Sequence, residues 1–206
     1  MSFIVGLFEK GGLLVVPLLV LLVAGAVIIV YKAIQLRQSR IVSPAVVKEL
    51  EQMVLARRTA DATAYCKQNS TPMTRVLLAG ILNYEKSESE LKATLEEAGR
   101  QEIPSIRYWL PTLGTIASLA PLLGLLGTVV GMIEVFATLA QEENVNSTML
   151  AGGISQALVT TAIGMVIAMP TLAAYNYFVA KVQTLTIEME RLSLRMVSIL
   201  KRSRSA

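Results

Sequence analysis

The chain has 206 residues, 53% of them hydrophobic and only 17% charged, with a formal net charge of +4. Soluble domains average about a quarter charged residues, and here the deficit is confined to three windows, Gly11–Tyr31, Tyr108–Ile133 and Asn144–Ala180, that carry no charge over 21, 26 and 37 residues. A single cysteine, Cys66, excludes an intrachain disulfide, and with no histidine, phosphate-binding loop or paired acids at catalytic spacing, neither an enzyme nor a metal or cofactor site is expected.

Each window exceeds the roughly 20 apolar residues that a helix needs to cross about 30 Å of hydrocarbon. Unbroken apolar runs, without period-two alternation, exclude a closed barrel, so the predicted fold class is an all-α integral membrane protein with three transmembrane helices. After an N-terminal segment, 1–11, the first span covers 12–33, and its stretch Leu13–Val30 is mostly Leu, Val and Ile. Its length, and basic residues that follow it, read as an anchor and not as a cleaved leader.

Residues 34–107 are too long for a connector and read as helical. Ser43 and Pro44 are placed as an N-cap and first-turn pair, with Val47, Leu50 and Val54 at helical spacing behind them. Thr59–Lys67 reads as a short helix, Asn69-Ser70-Thr71-Pro72 as a break, and Met73–Leu82 as an apolar stretch. Ser87 or Ser89 then opens a helix whose Leu91, Leu95, Ala98 and Glu102 share a face and which is expected to end at Pro104. The second span covers 108–140, a loop 141–151, and the third span 152–180. The tail, 181–206, continues the third helix, and Leu185, Met189, Leu192, Met196 and Ile199 form a heptad-like stripe along it.

Lysine and arginine set the expected orientation. Lys32, Arg37 and Arg40 follow the first span, Arg100 and Arg107 precede the second, and Lys181, Arg191, Arg195, Lys201, Arg202 and Arg204 follow the third. The 141–151 loop carries Glu142 and Glu143 and no basic residue. The positive-inside rule therefore puts the amino terminus and this loop outside, and 34–107 and the tail in the cytoplasm. The basic excess is an orientation signal, and nucleic acid is not an expected partner.

The second and third spans differ in kind from the first. In span two Gly114, Ala117 or Ser118, Pro121, Gly124, Thr128 and Gly131 recur every three or four residues, and Gly127 stands four before Gly131. In span three Ala157, Thr161, Gly164 and Ala168 form a small-residue face, with Gly153, Gln156 and Thr160 on an adjoining polar stripe. Such faces let helix backbones approach closely. Pro121, Gly124, Gly127, Gly131, Gly153 and Gly164 are assigned to packing, and Thr128, Thr160, Thr161 and Gln156 to a polar, water-bearing lumen. Glu134, the one acid within these spans, is weighed between interfacial residue and contributor to an ion path.

The runs LAPLLGLLGTVVGMIEVF (Leu119–Phe136) and GGISQALVTTAIGMVIAMPTLAAYNYF (Gly152–Phe178) resemble the paired signatures of the MotA/TolQ/ExbB proton-channel family, most closely its ExbB and TolQ members. The three-span layout is similar too. That resemblance implies a pentameric homo-oligomer in the inner membrane of a Gram-negative-type cell. Its lumen would be lined at Thr128 and Thr161 and would enclose an ExbD- or TolR-like single-span subunit. Proton flow would drive a TonB- or TolA-like protein, TonB-dependent-type uptake being preferred to a Tol-type envelope-maintenance motor or a non-conducting scaffold. ExbB and TolQ members carry glutamate at the position of Gln156. The chain departs there, so the essential membrane carboxylate is expected on the partner.

Overall fold

The computed structural model describes residues 14–140 and 147–205; the segments 1–13 and 141–146, with residue 206, lie outside the described residues. The described residues are helical nearly throughout, in two compact units. One comprises the described parts of 1–31 and 109–177, the other 32–108 and the described residues from 178 onward.

The first unit holds the apolar parts of three helices that are each long and apolar enough to span a bilayer. Helix α1 is Val15–Gln35; later in the chain come α7, Leu110–Leu139, and α8, Ser147–Ser205. The three meet where Leu18 of α1 packs on Ala120 of α7 and on Ile167 and Ala168 of α8, flanked by Leu21, Leu123 and Ile163. Gly25 of α1 faces the same two helices, and a Cβ there would make ordinary van der Waals contact with Ile116 and Thr171 at 3.6 Å. Residues 147–151, expected in a loop, already belong to α8.

Among the described residues, the second unit carries every charged side chain but Glu134. Its short helices are α2 (Gln38–Ile41), α3 (Pro44–Leu55), α4 (Thr59–Gln68) and α5 (Pro72–Leu82), followed by α6 (Glu88–Arg107). Consecutive members of α3–α6 pack on one another, burying Leu50, Val54, Met73, Leu77, Ile81, Leu91 and Leu95. Local chemistry fixes the boundaries. Thr71 with Thr74, and Ser87 with Glu90, form capping boxes that satisfy the first N–H groups of α5 and α6. Ser43 stands at the N-cap of α3, but only its backbone carbonyl is used, by the Val47 N–H at 3.0 Å.

Two expectations are corrected. Helix α6 does not stop at Pro104 but runs on to Arg107. Within a helix a proline removes one N–H and crowds the carbonyl four residues back; here that carbonyl belongs to Arg100, an exposed residue. Ile106 meanwhile is buried, and its carbonyl accepts a hydrogen bond from Lys32 Nζ at 2.9 Å, so the last turn is held. The break falls instead at Tyr108–Trp109, just before Pro111 at the head of α7. On α8 the buried line is Phe178, Val182, Leu185, Met189, Ser193, Met196 and Leu200, whereas Leu192 and Ile199 are only half-buried. Its steps of three and four residues average nearer the 3.6 of a straight helix than the 3.5 of a supercoil. Arg195 also reaches Glu51 at 2.7 Å, and Arg75 grips both oxygens of Glu102 at 2.5 and 2.7 Å.

Gly99 lies mid-helix in α6 with no atom within 4 Å of where a Cβ would stand. Since glycine costs about 0.5–1 kcal/mol against alanine in a helix interior, Gly99→Ala is expected to raise the thermal midpoint of the detergent-solubilised protein. A lower midpoint would show that the site does not admit a methyl group. Burial pushes the Cys66 thiol up to about 11, and only 2% of the residue is exposed. Maleimide at neutral pH should therefore label Cys66 only after denaturation; rapid labelling of the folded protein would contradict this packing.

Candidate functional site

The site is the seam between α7 and α8 within the membrane unit. The helices run antiparallel, and glycine is what lets them close. A Cβ at Gly127 would stand 2.5 Å from Thr160 Cγ2, one at Gly124 3.0 Å from Thr161 Cα, and one at Gly131 2.9 Å from Ala157 Cβ. From the other side, a Cβ at Gly164 would come within 2.5 Å of the Ala120 carbonyl, and one at Gly153 would overlap Val135 Cγ2. Gly124, Gly127, Gly131, Gly153 and Gly164 thus face across one interface. Pro121 is half-buried inside α7, which continues through it; its missing N–H leaves the Ala117 carbonyl without its ladder partner.

The four residues assigned from sequence to the lumen divide into two groups. Thr161 Oγ1 donates across the seam to the Gly124 carbonyl at 2.8 Å, the same carbonyl that the α-helical ladder gives to the Thr128 N–H. Thr128 Oγ1 donates to the Leu125 carbonyl at 2.7 Å. These two threonines are therefore joined through one carbonyl, and both are half-buried. Thr160 is different. It is 2% exposed, turned into α7 against Gly127, with its hydroxyl bonded back to the Gln156 carbonyl at 3.0 Å.

Gln156 is half-buried one turn from Thr160 and, by helix geometry, roughly 140° around α8 from Thr161. The expected polar stripe of Gly153, Gln156 and Thr160 therefore has Gly153 and Thr160 facing the seam. Thr160 therefore packs into the seam, one helix step of about 100° from Thr161. Glu134 is exposed on α7, its carbonyl accepting Thr138 Oγ1 at 2.9 Å. It is the sole charged side chain among the described residues of this unit. It lies six positions after Thr128, so the two do not share a face.

Sequence reasoning passed over the Thr115 hydroxyl and took Ser118 only as an alternative to Ala117 on the small-residue face. Thr115 and Ser118 are exposed on α7 and donate to the carbonyls of Pro111 and Gly114 at 3.0 and 3.1 Å. Their three-residue spacing inside an uncharged window was the available signal. Among the described residues no cluster of potential metal ligands occurs.

Residues 68–191 match the model of the MotA/TolQ/ExbB proton channel family. The chain is 34% identical over 176 residues to the ExbB-like 3 biopolymer transport protein of Synechocystis sp., covering 82% of this chain and 81% of that one. It is 38% identical over 98 residues to the Tol-Pal system protein TolQ of Haemophilus influenzae, covering 46% and 43% of the two chains. To the biopolymer transport protein ExbB of Salmonella typhimurium it is 41% identical over 70 residues, covering 34% and 29%.

A double-variant cycle tests the seam. Gly153→Ala is expected to lower the thermal midpoint in detergent, and adding Val135→Ala to restore much of the loss, because Val135 Cγ2 is what the new methyl meets. A coupling of about 1 kcal/mol or more is expected for side chains in contact. Simple additivity would mean that they do not meet.

Proposed function

Because the chain belongs to the MotA/TolQ/ExbB proton channel family, we propose that it is the stationary, proton-conducting subunit of an inner-membrane motor that turns proton motive force into work on a trans-envelope partner. It is a multi-pass membrane protein with three apolar helices. One observation carries the finer reading: Thr128 and Thr161 are brought together at the Gly124 carbonyl on helices otherwise built of apolar and small residues. Packing alone does not require both hydroxyls to stay half-exposed at that depth.

In this reading several copies, five by the family resemblance, surround the membrane helix of an ExbD- or TolR-like subunit. The amino terminus and the 141–151 segment face the periplasm, and 34–107 and the tail face the cytoplasm. The partner supplies the titrating carboxylate, since span three has no acid and Glu134 stands off the threonine face. Relatives bearing both ExbB and TolQ names support the motor subunit equally in TonB-type uptake and Tol-type envelope maintenance.

The test is proton flux in proteoliposomes holding this chain and an acid-bearing single-span subunit, under an imposed pH gradient. Thr128→Val with Thr161→Val should abolish partner-dependent flux while the complex still assembles, whereas Thr161→Ser, which keeps the bond to Gly124, should retain it. Undiminished flux in the assembled double variant would remove the threonines from the path. An inert wild-type complex would favour a scaffold that conducts nothing.

A further inference from the structure

The chain passes between its two units at three places, between residues 31 and 32, 108 and 109, and 177 and 178. Each crossing carries aromatic side chains: Tyr31 at the first, Tyr108 and Trp109 at the second, Tyr177 and Phe178 at the third. Tyr31, Tyr108, Trp109 and Tyr177 are exposed, Tyr108 at 68%. Tyrosine and tryptophan favour the headgroup level of a bilayer, where their apolar bodies and polar tips are both accommodated. The residues of the second unit beside these crossings therefore lie close to lipid headgroups.

Those residues are strongly basic. The stretches 32–42, 100–108 and 178–188 hold six basic side chains and two acidic ones. Both acids are already engaged, Glu102 by the Arg75 guanidinium at 2.5 and 2.7 Å and Glu188 by the Gln38 amide at 2.9 and 3.1 Å. Arg37, Arg40 and Arg107 are exposed and make no ion pair among the described residues. Their backbone is nonetheless fixed. Arg37 stands at the N-cap of α2 and Arg40 within it, and this short helix is anchored by buried Ile41 and Val42 and by the Gln38–Glu188 contact. Arg107 ends α6 directly after Ile106, whose carbonyl accepts Lys32 Nζ at 2.9 Å. Lys32 lies five positions before Arg37, so this buried bond brings the two arginine-bearing turns to one end of the second unit.

We propose that Arg37, Arg40 and Arg107 form a binding site for the phosphate groups of anionic phospholipids, with Lys32 as the peg that holds its two halves together. A guanidinium offers paired N–H donors that match phosphate oxygens. Free phosphate presents the same oxygens, but the site adjoins the ends of bilayer-spanning helices, where phosphate is anchored in lipid. An anionic lipid adds a net charge that zwitterionic phosphatidylcholine lacks, and each arginine near such a surface contributes up to roughly fivefold in association. The inference needs the membrane reading of the three apolar helices and nothing of proton flow or of a partner subunit.

Trp109, the only tryptophan, stands two positions after Arg107 and reports on the site. The full chain is reconstituted in phosphatidylcholine bilayers, and its fluorescence is quenched by phosphatidylglycerol or phosphatidylcholine bearing a nitroxide near the top of the acyl chain. Phosphatidylglycerol should quench the wild type as though enriched about tenfold or more. Arg37→Gln with Arg40→Gln and Arg107→Gln should bring the two lipids close to parity, and the corresponding lysine variants should retain part of the preference. Lys67→Gln with Lys86→Gln and Lys92→Gln removes the same number of exposed charges elsewhere and should leave the enrichment intact. Equal quenching of the wild type by the two lipids overturns the site, whether or not the triple glutamine variant folds. Enrichment that survives in that variant, or an equal loss in the Lys67, Lys86 and Lys92 variant, overturns it too. Inorganic phosphate added at constant ionic strength should not relieve the enrichment; relief would assign the arginines to a soluble anion and overturn the lipid assignment.

Discussion

Two helix backbones that must touch where water cannot drive them together are the constraint on which the membrane unit depends. Lipid tails are as apolar as leucine, so association rests on close van der Waals contact and on interhelical hydrogen bonds. Glycine at 124, 127, 131, 153 and 164 supplies the first, and the Thr161–Gly124 bond the second. The seam also determines what is left over. By consuming Thr160 and the glycines it leaves Thr128 and Thr161 at its edge, polar and incompletely covered.

The second unit obeys ordinary aqueous rules. Apolar side chains from α3 to α6 and from α8 fill its core, capping boxes close its helix starts, and ion pairs such as Arg75–Glu102 lie toward its surface. One polar exception is Lys32, fully buried, whose ammonium is satisfied by Gln35 and by the Ile106 carbonyl. That cation stands at the C-terminal turn of α6, where the helix dipole favours positive charge. It accounts for a helix that outlasts its proline by three residues.

Much of this was legible beforehand because charge and periodicity are strong physical signals. Windows without charge mark helices that can enter hydrocarbon, and Ser87 and Ser89 mark where α6 opens, the capping box with Glu90 then choosing Ser87. Pro104 misled because a proline's cost depends on whether the orphaned carbonyl is wet, which is a property of the fold. The two neighbouring threonines part for a similar reason. Thr160 and Thr161 are chemically identical neighbours, yet one fills the notch over Gly127 and the other bridges to Gly124. Only the azimuth of α8 against α7 separates them, and no composition or spacing encodes that angle. The stripe on α8 was found, but with Leu192 and Ile199 where the burial is completed by Ser193 and Leu200, since a seven-residue template drifts on a straight helix.

Glutamine at 156 acquires a physical meaning from this arrangement. An acid at that position would lie one turn from Thr160 and off the Thr128–Thr161 face, in a unit whose described residues include no basic side chain to balance it. Buried without a counter-charge, it would be driven toward its neutral form. As an amide the side chain stays neutral at every pH and can both donate and accept. On the proposed reading that neutrality is useful. A wall that titrated would compete with the moving acid for the same proton, whereas a wall of committed hydroxyls and an amide has fixed polarity and leaves the partner's carboxyl as the group whose charge changes.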